Sequence, residues 1–194
     1  MKKIIVADDH EIVRYGARVI LENISSEFEI IEASTCKEVL QIIHRQEIDF
    51  GIFDIQLVDG NMFSIISQII EQYPNISILV YSMNAEKIYA KRLLKKGIKA
   101  FVCKQESIGE LEKAIKCLLK GEAYLSSTFK ENVTGNAELN LEDNPFDLLS
   151  DRELEVAEYS CEGLRAKEIA RRMDLDITTV STFRRRAYKK LNVE

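Results

Sequence analysis

The sequence predicts an α/β fold, a five-stranded, parallel, doubly wound sheet, followed by a small all-α domain. Three observations predict it. Apolar runs of strand length alternate five times with stretches of helical apolar spacing over residues 1–124. From residue 148 to 194 only the helical period remains. Between them, residues 125–147 are polar and rich in turn formers, with Ser126-Ser127-Thr128, Gly135-Asn136 and Glu142-Asp143-Asn144-Pro145, and read as a linker with one short helix around Phe129–Val133.

Each element has its own signal. Lys3–Ala7 is the first strand, and Ile12, Val13, Ala17, Ile20 and Leu21 follow it at helical spacing. Phe28–Ala33 is the second strand, and Val39, Leu40, Ile42 and Ile43 mark its helix. Phe50–Phe53 is the third. The helix carrying Phe63, Ile65, Ile66, Ile69 and Ile70 is stopped by Tyr73-Pro74-Asn75. Ile76–Tyr81 is the fourth strand, with a helix from about Ala85 that closes at Gly97. Ala100–Cys103 is the fifth. Its helix holds Ile108, Leu111, Ile115, Leu118 and Leu119 and ends at Gly121. In the last segment Ser150 and Glu153 form a capping box for a helix with Leu154, Val156, Ala157 and Tyr159. Ala166–Met173 is a second short helix, and Thr178 to about Leu191 a third. Two short helices across a tight turn are the pattern of a helix-turn-helix.

Composition sets the outer limits. With 46% hydrophobic residues in 194, the chain can bury a core, and no apolar run reaches the ~20 residues of a membrane span. The amino terminus runs straight into the first strand with no signal peptide, which predicts a cytoplasmic protein without a membrane partner. Cys36, Cys103, Cys117 and Cys161 lack metal-site spacing and read as reduced thiols. The net charge of -5 is unevenly spread. Residues 1–148 hold 17 basic and 23 acidic side chains (-6), and residues 149–194 hold 10 and 9 (+1). Arg184, Arg185, Arg186, Lys189 and Lys190 fall in one stretch, so the two parts suit different partners.

The chemistry sits where the strands end. Asp8 and Asp9 follow the first strand, Asp54 the third, Ser82 the fourth and Lys104 the fifth. Parallel sheets bind ligands beyond the carboxyl ends of their strands, so these groups face one crevice. Two carboxylates ~4 Å apart repel by ~4 kcal/mol at an effective dielectric of 20, so the grouping calls for a cation. Asp8 and Asp9 suit Mg²⁺, which takes oxygen ligands. Asp54 can act as a nucleophile toward phosphorus, Lys104 supplies a mobile positive charge and Ser82 a hydroxyl.

These residues carry a resemblance. Residues 1–124 resemble the receiver domain of a bacterial two-component response regulator, which has a flavodoxin-like sheet. The matching residues are Val6-Ala7-Asp8-Asp9-His10, Asp54 within Ile52–Leu57, Ser82, and Lys104 after Phe101-Val102-Cys103. The resemblance implies that Asp54 accepts a phosphoryl group from a sensor histidine kinase. It implies that Asp9 and Asp54 bind Mg²⁺ directly with the Gln56 carbonyl, and Asp8 through water. Ser82 and Lys104 then bind the phosphate, and Phe101 takes the place of the switch aromatic that turns inward as Ser82 moves. A buried core aromatic is the other reading of Phe101. Three positions depart from the family pattern: Val58 where Pro is usual, Met62 where Gly is usual, and Met83 where a small residue is usual. Met83 is expected to narrow the phosphate entry.

Residues 148–194 resemble the LuxR/NarL-type DNA-binding domain, through Leu149-Ser150-Asp151-Arg152-Glu153, Glu162-Gly163, Lys167-Glu168-Ile169-Ala170, Thr178-Thr179-Val180 and Lys190-Leu191. Ile169, Ala170, Val180, Ala187 and Leu191 can form one apolar face, leaving Ser181, Thr182, Arg185 and Lys189 outward. A helix fits the major groove of double-stranded promoter DNA. By position Ser181, Thr182 and Arg185 approach base edges, while Lys167, Thr179, Arg186 and Lys190 hold phosphates. The expected function is a transcriptional regulator, not a multiple-turnover enzyme, whose phosphorylation favours a homodimer or frees the carboxy-terminal domain. Two alternatives stay open: DNA binding that ignores phosphorylation, and an aspartate-dependent phosphotransfer enzyme.

Overall fold

The structure is a computed structural model that describes residues 1–83, 89, 91–126 and 145–193. The chain divides into two compact units, Met1–Asn136 and Ala137–Glu194.

In chain order the first unit contains β1 (Lys2–Ala7), α1 (Glu11–Ile24), β2 (Phe28–Ala33), α2 (Cys36–Arg45), β3 (Phe50–Phe53), β4 (Gln56–Leu57), β5 (Gly60–Asn61), α3 (Met62–Gln72), β6 (Ser77–Ser82), α4 (Lys91–Lys95), β7 (Ala100–Cys103), α5 (Ile108–Leu119) and β8 (Tyr124–Leu125). The main sheet is parallel throughout, in the order β2-β1-β3-β6-β7-β8. The order reverses between β1 and β3, which opens a crevice at their carboxyl ends.

Strands buried on both faces account for the near-continuous apolar runs in the sequence. On one face Ile4, Val6, Phe50, Ile52, Leu79, Ala100 and Val102 pack with Ala17 and Leu21 of α1 and with Leu111, Ala114, Ile115 and Leu118 of α5. On the other, Ile5, Phe53, Ile78, Val80 and Phe101 are also buried, as are Val39 and Ile43 of α2 and Ile66 and Ile69 of α3. Gly51 is required in β3. The ring of Phe53, two residues on, lies where a Cβ would stand, so any larger residue displaces it.

The structure corrects the expected five strands to six. Tyr124 and Leu125 form β8 beside Ala100 and Phe101, and the Tyr124 amide donates to the Lys99 carbonyl at 2.9 Å. A two-residue strand is too short to show a period. Leu125 is therefore sheet rather than linker. At the linker's far end Pro145–Leu148 forms a 3₁₀ turn. The helix expected around Phe129–Val133 and the start of the helix near Ala85 lie outside the described residues.

The loop after Asp54 is a small antiparallel ribbon, Gln56-Leu57 against Gly60-Asn61. Asn61 caps α3, its Oδ1 accepting from the Phe63 amide at 2.8 Å. Met62 is the first helical residue and fully buried, so the family's usual glycine is not needed there.

The second unit holds α6 (Asp151–Cys161), α7 (Ala166–Met173) and α8 (Ile177–Leu191). The capping box of Ser150 and Glu153 is formed. Val156, Tyr159, Ile169, Ala170, Met173 and Val180 make the core, with Phe183 packed against it. Three residues, 174–176, separate α7 from α8. Asp174 closes α7 in the left-handed region (φ 52°), which an aspartate tolerates better than most residues.

Candidate functional site

The β1 and β3 ends carry the acids, and backbone register fixes them. The Asp8 amide donates to the Ala33 carbonyl at 3.1 Å, and the Asp54 amide to the Ala7 carbonyl at 2.9 Å. The Lys104 amide donates to the Ser82 carbonyl at 3.0 Å. Asp8, Asp54 and Lys104 thus each stand at a last ladder bond, beside Ser82 at the end of β6, along a common edge.

The side chains meet there. Lys104 Nζ lies 2.6 Å from Asp8 Oδ2 and 2.6 Å from Asp54 Oδ2. Ser82 Oγ donates to Asp54 Oδ1 at 2.6 Å, and the Ile55 amide donates to the same oxygen at 2.6 Å. The Gln56 amide adds a longer bond of 3.4 Å. Asp8, Asp54 and Ser82 are buried, and Asp9 stands at the mouth. Phe101 is buried in β7, at 1% exposure. Met83 and Val58 are exposed at the rim.

The electrostatics are those of a crowded acid cluster. Burial raises the Asp8 carboxyl above its usual range, against the opposing bonds from Lys104 and the His10 amide. Burial alone would lower the Lys104 ammonium, but its bonds to Asp54 and Asp8 outweigh that and raise it. Lys104 therefore keeps its proton and bridges the two acids. Asp8, Asp9 and His10 each bring a donor atom within 4.8 Å of the others. His10 Nδ1 is 2.7 Å from Asp9 Oδ1. The carboxylate oxygens of Asp8, Asp9 and Asp54 are a hard-donor set suited to a small divalent cation.

On α8, Ser181, Arg185, Arg186, Lys189 and Lys190 are exposed and Thr179 and Thr182 half-buried; Lys167 is exposed on α7. The hydroxyls of Ser181 and Thr182 donate back to the Ile177 and Thr178 carbonyls at 2.8 and 2.9 Å. An open groove of about 550 Å³ runs along Ser181, Arg184, Arg185, Tyr188, Lys189 and Val193. Lys190 is engaged within the unit: its Nζ lies 2.6 Å from Glu153 Oε2 on α6.

Sequence reasoning missed Arg14, whose Nη1 donates to the Asp8 carbonyl at 2.8 Å, and Asp59, which caps α2. It also passed over Arg184 and Tyr188 as groove residues. Helical spacing from Ser181 would have found these two, whereas no local pattern marks the first two.

Known proteins match this architecture from end to end. Residues 4–116 match the response regulator receiver domain, and residues 147–194 match the bacterial regulatory proteins of the luxR family. The oxygen regulatory protein NreC of Staphylococcus carnosus is 30% identical, over 99% of this chain and 92% of its own. The response regulator GacA of Pseudomonas syringae is 25% identical, over 100% of this chain and 91% of its own. Among solved structures, RcsB of Salmonella enterica serovar Typhimurium, bound to a promoter in the presence of phosphomimetic BeF₃⁻, superposes with a TM-score of 0.75. It is 27% identical, over 100% of this chain and 93% of its own. The chain therefore belongs to the bacterial response regulators of the NarL/LuxR class, with a receiver domain followed by a LuxR-type regulatory domain.

Proposed function

We propose that the chain accepts a phosphoryl group on Asp54 from a sensor histidine kinase and binds double-stranded promoter DNA as a homodimer. The observation that carries this reading is the pair of 2.6 Å contacts on Asp54, from the Ser82 hydroxyl on one oxygen and the Lys104 ammonium on the other. In the transfer an Asp54 oxygen forms the new P–O bond while the donor's P–N bond breaks with its electron pair going to the ring nitrogen, and the imidazole, already protonated on its other nitrogen, leaves neutral. Lys104 and Ser82 turn from the carboxylate to the phosphoryl oxygens. Mg²⁺, held by Asp8, Asp9, Asp54 and the Gln56 carbonyl, would neutralise charge on those oxygens. Phe101 and Ser82 form the switch.

The receiver spans residues 1–124 and the DNA-binding domain residues 148–194. Ser181, Thr182 and Arg185 read bases, and Lys167, Thr179 and Arg186 hold the backbone, with Lys189 in place of the expected Lys190, whose ammonium is held by Glu153. RcsB has been solved as two dimers on two parallel DNAs, which supports the dimeric reading. No helix among the described residues is long and apolar enough to cross a membrane, and the cytoplasm is the expected compartment.

One observation favours a second reading. Val58, Met62 and Met83 depart from the family's pattern around Asp54, which supports DNA binding that ignores phosphorylation. One experiment separates the two. Wild type and Asp54→Ala are incubated with a phosphodonor and Mg²⁺, then followed by intact mass and by promoter affinity. The first reading expects a single phosphoryl gain in wild type alone, with tighter binding; equal affinities in all samples leave the second.

A further inference from the structure

We propose that Arg14 is a positioning residue that locks the Asp8-Asp9-His10 turn in its cation-holding shape. This rests on the metal and phosphoryl site proposed above. β1 ends at Ala7, and the Asp8 amide takes the last ladder bond, to the Ala33 carbonyl. Among the described residues no strand amide donates to the Asp8 carbonyl. Arg14, one turn into α1, donates to it from Nη1 at 2.8 Å.

The same guanidinium donates from Nε to Glu32 Oε2 on β2 at 3.0 Å. Glu32 is itself held by Arg18, through Nε at 2.9 Å and Nη2 at 2.7 Å. The Arg14 side chain is only 15% exposed. Its planar fork thus joins β2, α1 and the end of β1, a geometry that a single ammonium cannot reproduce. From the other side the turn is closed by the His10 amide, which donates to Asp8 Oδ1 at 2.9 Å.

Mutual repulsion of Asp8 and Asp9 acts to open this turn, and the acids must stay together to share a cation. Arg14 opposes that opening through the main chain rather than by pairing with either carboxylate. Arg18 pairs with Glu32 and, at 3.9 Å, with Glu22, but not with the turn, which makes it the internal control.

The test uses the full chain and compares wild type with R14Q, R14K and R18Q. Mg²⁺ affinity is measured by calorimetric titration, and exchange of the Asp9 and His10 amides is followed without metal. Loss of an outer positioning contact typically weakens metal binding by about tenfold or more. R14K, which keeps the charge and most of the stem, is expected to show that loss, with about tenfold faster amide exchange at the turn. R14Q is expected to match it, whereas R18Q stays within about twofold of wild type on both counts. R14K with wild-type exchange overturns the proposal, as does R18Q losing as much as R14K. A wild type that ignores Mg²⁺ while R14K still loosens the turn overturns the metal reading and leaves the positioning role standing.

Discussion

Lys190 shows how a residue's neighbours change its meaning. As one of five basic residues in a helix it reads as a phosphate contact. In the fold its Nζ lies 2.6 Å from Glu153 Oε2, the oxygen that also accepts the Ser150 amide at 2.7 Å. The Glu153 side chain is only 4% exposed. Burial pushes its carboxyl up, but the bonds from Lys190 and Ser150 outweigh this and hold it below 4.5. A lowered acid contributes stability that is present above its ordinary value and lost as pH falls through the lowered one. Lys190→Met is therefore expected to cost about 1.5 kcal/mol at pH 7, the low end for a charged hydrogen bond because the lysine is part-exposed. That cost should shrink below pH 4.5. Thermal unfolding of the full chain from pH 3 to 7 checks the sign; a penalty that grows with acid contradicts the pairing.

At the scale of elements, the sequence made regular packing legible and left long-range partners hidden. All five longer strands of the main sheet and the helices of the second unit follow from apolar period. The gathering of Asp8, Asp54, Ser82 and Lys104 follows because strand ends in a parallel sheet share an edge. β8 and the β4–β5 ribbon did not follow, since two residues cannot display a period of two. Nor did the start of α2. There Asp59, in the turn of the ribbon, accepts the Cys36 amide at 2.7 Å and the Lys37 amide at 3.1 Å, while Thr35 accepts the Glu38 amide at 3.1 Å. Three of the four orphan donors of the helix are satisfied, two of them by a residue more than 20 positions away. The loop that follows Asp54 is thereby tied to the neighbouring helix, with Val58 where the family usually has proline. Asp59→Ala is expected to lower stability by about 1 kcal/mol, as for loss of an N-cap carboxylate. A chemical denaturation curve with an unchanged midpoint would show that the clamp is not holding the helix.

Taken whole, the chain joins residues 1–148, with a balance of -6, to residues 149–194, with a balance of +1 and a basic stretch on α8. That asymmetry suits opposite tasks: gathering a cation beside Asp54, and meeting a polyanion along α8. A net charge of -5 gives no general attraction to DNA, so affinity must come from the few cations on one helix face. With about three phosphates neutralised per subunit, by Lys167, Arg186 and Lys189, log K is expected to fall with log salt at a slope of about -2.7 for one subunit, and about twice that for a dimer on two half-sites. The slope therefore reads stoichiometry as well as charge. Measured with and without a phosphodonor, it should steepen toward the dimer value if phosphorylation drives pairing. It should keep one value if DNA binding ignores phosphorylation. A slope near zero under both conditions would leave α8 as a merely solvated basic helix.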